Sequence, residues 1–216
     1  MAIPLVPTLV MIISSYLNAQ VIFLLRNDDF FNVADDKIGI VSSSLIFYSL
    51  PGSVIATFFS GYLFDVLGRK VTLFGCFLIA SLLLFAVPWT SPDVYPWLLL
   101  VRILIGIFSS GTLSNPLVVD YIHVTALGKA ASLVAVGYVL GEVISMGALF
   151  TATKNMNPYW AFATAAACSL FLACFFLFIV KEPRLRKDKK KVNVVSLPNA
   201  DAVPASPSAF GNRNIA

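Results

Sequence analysis

Six times along 216 residues the sequence runs for about twenty positions with almost no charge. A helix rising 1.5 Å per residue needs about 20 apolar residues to cross the roughly 30 Å hydrocarbon core. The runs lie at about 5–25, 38–60, 71–89, 97–121, 127–151 and 158–180. In lipid every backbone N–H and C=O must be bonded within the protein, and a helix meets that need inside a single run, so runs of this length are expected as helices. The expected fold is therefore all-α and integral to a membrane, with six transmembrane helices in residues 1–183. Composition agrees: the chain is 58% hydrophobic and only 12% charged, against about 25% charge in soluble domains.

The charges that remain give an orientation. Seven of the fifteen Lys and Arg fall between Lys181 and Lys191, directly after the last run. With six spans, Arg69, Lys70, Lys129 and this cluster share one side, and the positive-inside rule makes it cytoplasmic, or its matrix-side equivalent. The mixed loop of Arg26, Asp28, Asp29, Asp35, Asp36 and Lys37 then lies outside. The basic cluster is juxtamembrane, suited to anionic membrane lipid and not to nucleic acid. Residues 184–216, with Pro198, Pro204 and Pro207 and no apolar periodicity, are expected to form a disordered cytoplasmic tail. Cys76, Cys168 and Cys174 sit within apolar runs and read as small hydrophobes, with no metal or cofactor site.

Two charges stand deep within spans. Arg102 is about five residues from the outer end of the fourth run and Glu142 about nine from that of the fifth, roughly 7 and 13 Å down. Charges at such depth mark functional sites by default. If the fourth and fifth helices are antiparallel neighbours, the two are expected within reach of one another, as a structural ion pair or as a cavity pair that opens on substrate or proton binding. Ser14 and Asn18, four apart on one face of the first helix, either line a translocation path with them or bond to neighbouring helices. Small residues at helix-packing spacing, Gly52, Ala56 and Ser60 in the second run and Gly137 and Gly141 in the fifth, prepare close helix contact.

Between the second and third runs stands Gly61-Tyr62-Leu63-Phe64-Asp65-Val66-Leu67-Gly68-Arg69-Lys70, expected to form a short polar hinge. Gly61 admits a neighbouring backbone, Asp65 at the hydrocarbon edge calls for a partner, Gly68 supplies the positive φ of a tight turn, and Arg69 and Lys70 hold the turn inside. This spacing resembles the signature loop between helices 2 and 3 of the major facilitator superfamily of transporters. The likeness runs from about residue 5 to Pro183 and takes in Arg102-x-x-x-Gly106, the helix-5 glycines and Lys181-Glu182-Pro183. Asn115-Pro116 ahead of Asp120 is nearest in look to the organic-ion and synaptic-vesicle-glycoprotein branches. The resemblance implies that Asp120, Asp65 and Arg69 form a cytoplasmic charge network that steadies the outward-facing state.

Such transporters have two six-helix halves with the solute between them, and this sequence matches one. The expectation is a half-length, gradient-driven carrier of a small organic solute that needs a second half or a homodimer, its small-residue faces and Gly61 turned to that partner. The alternative is a non-transporting structural or regulatory subunit of a larger membrane complex. Catalysis is not expected: no P-loop is present, and Ser114 and the sole histidine, His123, lie nine residues apart on one helix, roughly 13 Å, beyond the reach of a dyad.

Overall fold

The computed structural model describes residues 4–110 and 126–179. Those residues are helical, joined by short turns, with no strand among them. In chain order the helices are α1 (Leu5–Arg26), α2 (Asp35–Leu67), α3 (Arg69–Ala86), α4 (Leu99–Ser110), α5 (Leu127–Glu142) and α6 (Pro158–Ile179). α5 runs on through wider π-helical turns at Val143–Phe150 and a last turn at Thr151–Thr153. Among the described residues five helices are long and apolar enough to cross a membrane, and Val94–Ser109 is a shorter apolar one. The rest of the fourth expected span, with Asn115, Pro116, Asp120 and His123, lies outside the described residues, as do the basic cluster and the tail.

α1 is the centre of this bundle. Pro4 stands at its cap and Pro7 in its first turn, where a missing N–H costs nothing because no helical acceptor precedes it. Ile12, Ile13, Tyr16 and Leu25 are fully buried, and α1 touches every other helix. Around it the closest pairs are α2 with α4, α3 with α6, and α5 with α1. Phe77 of α3 meets Phe176 of α6 edge to face at 6.3 Å. One helical position from each of those elements adds a buried hydrogen bond, Ser169 Oγ to Ser81 Oγ at 2.8 Å.

α2 behaves differently. It spans 33 residues, continuous through Pro51, yet most of its surface turns away from the bundle. Phe58 is 81% exposed, and Phe47, Tyr62 and Val66 are exposed with it. A face of that kind has a place only against hydrocarbon or further helices. The loop between α1 and α2 is closed by Arg26 and Asp35 at 3.2 Å; both side chains are exposed, so the pair adds little.

Candidate functional site

α5 reaches α1 through its glycines. A Cβ on Gly137 would stand 2.5 Å from the Pro4 carbonyl oxygen, and one on Gly141 2.6 Å from that of Thr8. Nothing larger than hydrogen fits at either position. Thr8 Oγ1 donates to the Gly137 carbonyl at 3.0 Å, a polar stitch that a membrane interior favours. The pair Gly137 and Gly141 therefore serves this bundle's own α1, which corrects the expectation that it faces a second half. The same correction applies in α2: a Cβ on Gly52 would meet Ile103 Cγ2 of α4 at 3.0 Å. From the other side, one on Gly106 would meet Ser53 Oγ at 2.9 Å. Ser60 is buried, its hydroxyl donating to the Thr57 carbonyl at 2.7 Å. Ala56 joins Gly52 and Ser60 along an apolar crevice of about 290 Å³ closed by Ile107, Phe108 and Cys76.

The close approach of α5 sets Glu142 beside α1. Its carboxylate accepts a hydrogen bond from Ser15 Oγ. Arg102, on α4, donates through Nη2 to the Asn18 side-chain carbonyl. Ser15 and Asn18 are three residues apart on α1, so they share one face, about one turn apart. The two deep charges are thus each docked on the central helix, and no ion pair joins them to one another. The reason is topological: the spatial neighbour of α5 is α1, although α4 precedes it in sequence. Ser14, expected to work with Asn18, turns its hydroxyl back to the Val10 carbonyl at 2.8 Å and is half-buried, while Asn18 is exposed.

The α2–α3 junction is a single residue. Helix continues through Asp65 to Leu67, and only Gly68 leaves it, at φ 86° and ψ 149°. The polar hinge over 61–70 is corrected accordingly: Gly61 to Leu67 are the last turns of α2, and Arg69 and Lys70 open α3. Thr72 fastens the turn, its hydroxyl donating to the Gly68 carbonyl at 2.8 Å and to that of Leu63 at 3.2 Å. A Cβ on Gly61 would meet nothing within 4 Å. Asp65 is exposed and forms no hydrogen bond or ion pair with the described residues. Asp120, the third member of the network implied by resemblance, lies outside them.

Sequence reading passed over two features. Ser15, not Ser14, meets the membrane acid; its signal was the run Thr8, Ser15 at seven-residue spacing opposite Gly137, Gly141 and Ser145. The second is a buried cluster in the C-terminal half of α1. Tyr16 donates its hydroxyl to the Ala161 carbonyl at 2.8 Å and lies 2.9 Å from Thr153 Oγ1, to which Gln20 Nε2 donates at 3.1 Å. It ties α1 to the end of α5 and the start of α6. Among the described residues no group of three or more His, Cys, Asp or Glu side chains is placed to hold a metal ion.

The fold has close parallels. The solved structure of the xylose transporter XylE from E. coli in its inward-open conformation superposes with a TM-score of 0.62 at 17% identity, covering 83% of this chain and 47% of that one. The proton:xylose symporter XylE bound to 6-bromo-6-deoxy-D-glucose gives 0.63 at 17% identity, covering 84% and 44%. This chain therefore spans a little under half the length of the transporters it matches. No curated protein matches the sequence. The sequence fits the profile of the Major Facilitator Superfamily over residues 3–214, a family of transporters and not of enzymes. With a family profile that takes in nearly every residue, this integral, multi-pass membrane chain belongs to the major facilitator superfamily.

Proposed function

We propose that the chain acts as one half of a secondary transporter, a gradient-driven carrier of a small organic solute that works once a second half or a second copy completes the path. The observation that carries this reading is the pair of docked charges. Arg102 and Glu142 are each held at membrane depth by a neutral side chain of one helix, Asn18 and Ser15. A bundle selected only for stability has no use for two separated charges in hydrocarbon, because each costs stability that a paired or apolar residue does not. A transport path uses them, since charges without fixed ionic partners can bind and release. Alternating access needs two bundles that rock about a site between them, and the wide exposed face of α2 offers a surface for the second.

Both termini are assigned to the cytoplasmic side, where Arg69, Lys70 and Lys129 gather, with 184–216 as a basic segment and tail there. The carrier's relatives name the first trial: xylose, with a proton gradient imposed. The full chain, released gently from its membrane, is weighed by native mass spectrometry and then reconstituted in proteoliposomes for uptake. An assembly of two 23.4 kDa chains with gradient-dependent uptake supports the reading. A single copy held in a large hetero-complex, with no uptake of any solute, replaces it by a structural or regulatory subunit.

A further inference from the structure

We propose that the connection from α3 to α4 holds a binding site for a quaternary ammonium group, with the indoles of Trp89 and Trp97 as its walls and Asp93 as its charge. The site lies apart from Arg102 and Glu142 and does not depend on transport.

That connection contains two short turns, Val87–Thr90 and Val94–Leu98. A cavity of about 260 Å³ opens there, lined by Trp89, Thr90, Ser91, Pro92, Asp93 and Trp97. Ligand pockets commonly run to about 300–1,000 Å³, so this one suits a head group and not a large solute. Its lining is held from outside. Ser91 Oγ donates to the Phe30 carbonyl at 2.9 Å, Tyr95 Oη lies 2.7 Å from Ser44 Oγ, and Trp89 meets Tyr159 edge to face at 5.3 Å. Thr90 Oγ1 donates to the Val87 carbonyl at 2.7 Å, so both hydroxyls of the lining give their protons to the backbone. Asp93 is different. Its carboxylate caps no helix and forms no hydrogen bond or ion pair with the described residues, and no Lys or Arg lines the cavity.

Indoles exposed near a membrane surface have an ordinary use as anchors at the head-group level. That use does not call for a carboxylate in the same cavity. The face of an indole attracts a cation through its quadrupole, more strongly than other rings do, and the acid adds a full charge. The field at this end of the bundle has the same sign. Its loops carry five Asp against Arg26, Lys37 and Lys154, a net of two negative charges, which draws cations in. A quaternary ammonium suits the lining better than a primary one. It has no N–H to satisfy and rests its methyl groups on apolar rings, whereas an –NH₃⁺ is strongly hydrated and brings three donors that seek acceptors. The same trimethylammonium chemistry is carried by the head group of a choline lipid and by a free cation such as choline.

The test titrates the full chain, in a maltoside detergent at constant ionic strength, with choline. The comparison is its neutral carbon isostere, in which tert-butyl replaces trimethylammonium. Choline should change the intrinsic tryptophan fluorescence saturably and raise the unfolding temperature with occupancy; the isostere should do neither. Trp97→Leu should weaken the apparent Kd about two- to fivefold, as for an exposed cation–π contact, and Trp97→Phe less. Asp93→Asn should weaken it about fivefold, the loss of one charge contact in water. Both side chains are exposed, so the unfolding temperature without choline should hold in each variant. Choline and its isostere acting alike, or a Kd for choline that neither Asp93→Asn nor Trp97→Leu alters, overturns the site. Nanodiscs then separate the two sources. Choline that binds in phosphatidylglycerol discs but not in phosphatidylcholine discs shows a site already filled by the lipid head group. Equal binding in both assigns the site to a soluble cation, and binding in neither overturns it.

Discussion

Gly141 lies so close to Thr8 that a Cβ built on the glycine would stand 2.6 Å from the threonine's carbonyl oxygen and 2.7 Å from Cβ of Met11. Both obstacles are backbone or rigidly attached to it, so neither can yield by changing rotamer. Gly141→Ala must push α5 off α1, and overpacking of that kind costs about 1–3 kcal/mol. Gly61→Ala meets nothing within 4 Å and replaces a poor helix former in α2, so the isolated chain should keep its stability or gain up to about 1 kcal/mol. Thermal unfolding of both variants in the same detergent decides. A Gly141→Ala chain as stable as the parent would mean that α1 and α5 do not pack as described.

The α2–α3 turn permits a second test. Gly68 combines φ 86° with ψ 149°, a region that is essentially restricted to glycine and differs from the left-handed helical one. Alanine there should cost roughly 1–3 kcal/mol. Asparagine, which often rescues left-handed positions, should be no better, because its short-range hydrogen bonds favour a ψ near 47°. A marked advantage of Gly68→Asn over Gly68→Ala would show that the turn takes a different geometry in solution.

Double-mutant cycles distinguish which partners the deep charges use. Ser15→Ala with Glu142→Gln, and Asn18→Ala with Arg102→Gln, should each give a coupling of about 0.6 kcal/mol and at most about 1.7, the mean and the maximum for polar contacts within membranes. The cross cycle, Arg102→Gln with Glu142→Gln, should give less than either. A cross term larger than both would restore the direct ion pair and displace α1 from its place between them.

Much of the fold was legible because its cause is one-dimensional. An apolar run of spanning length becomes a helix wherever its neighbours lie, and runs expected at 5–25 and 158–180 are observed at Leu5–Arg26 and Pro158–Ile179. Gly68 was legible for the same reason, since a backbone that must reverse between two helices there requires a positive φ. Partner choice was not legible, because it depends on which helices touch. Nothing in the sequence says that α5 packs on α1, so Arg102 and Glu142 looked like mutual partners and Gly137 and Gly141 like a face for something outside. The choice of Ser14 over Ser15 failed at finer scale: one residue is 100° of helix, and the direction of α5 had to be known first. Polar sequence also suggested a loop at Gly61 to Leu67, where Asp65 sits on helix because nothing before Gly68 interrupts the backbone bonds.

Asp65 offers the sharpest separation of stability from function. It is exposed at the end of α2, makes no hydrogen bond or ion pair with the described residues, and stands three residues before the glycine that reverses the chain. A carboxylate so placed contributes little to the fold, and Asp65→Asn should change the unfolding free energy by no more than about 0.5 kcal/mol. If the junction acts as the cytoplasmic charge latch of a working transporter, the acid acquires its partner only when the two halves close. Losing one charge-assisted hydrogen bond in that state should then slow gradient-driven uptake roughly tenfold. Uptake and unfolding are measured on the same preparation, so that an insertion defect cannot pass for a transport defect. Slowed uptake with unchanged stability places Asp65 in the switching step. Equal uptake in the parent and Asp65→Asn proteins would strip the junction of that role and leave Gly68 as a turn and nothing more.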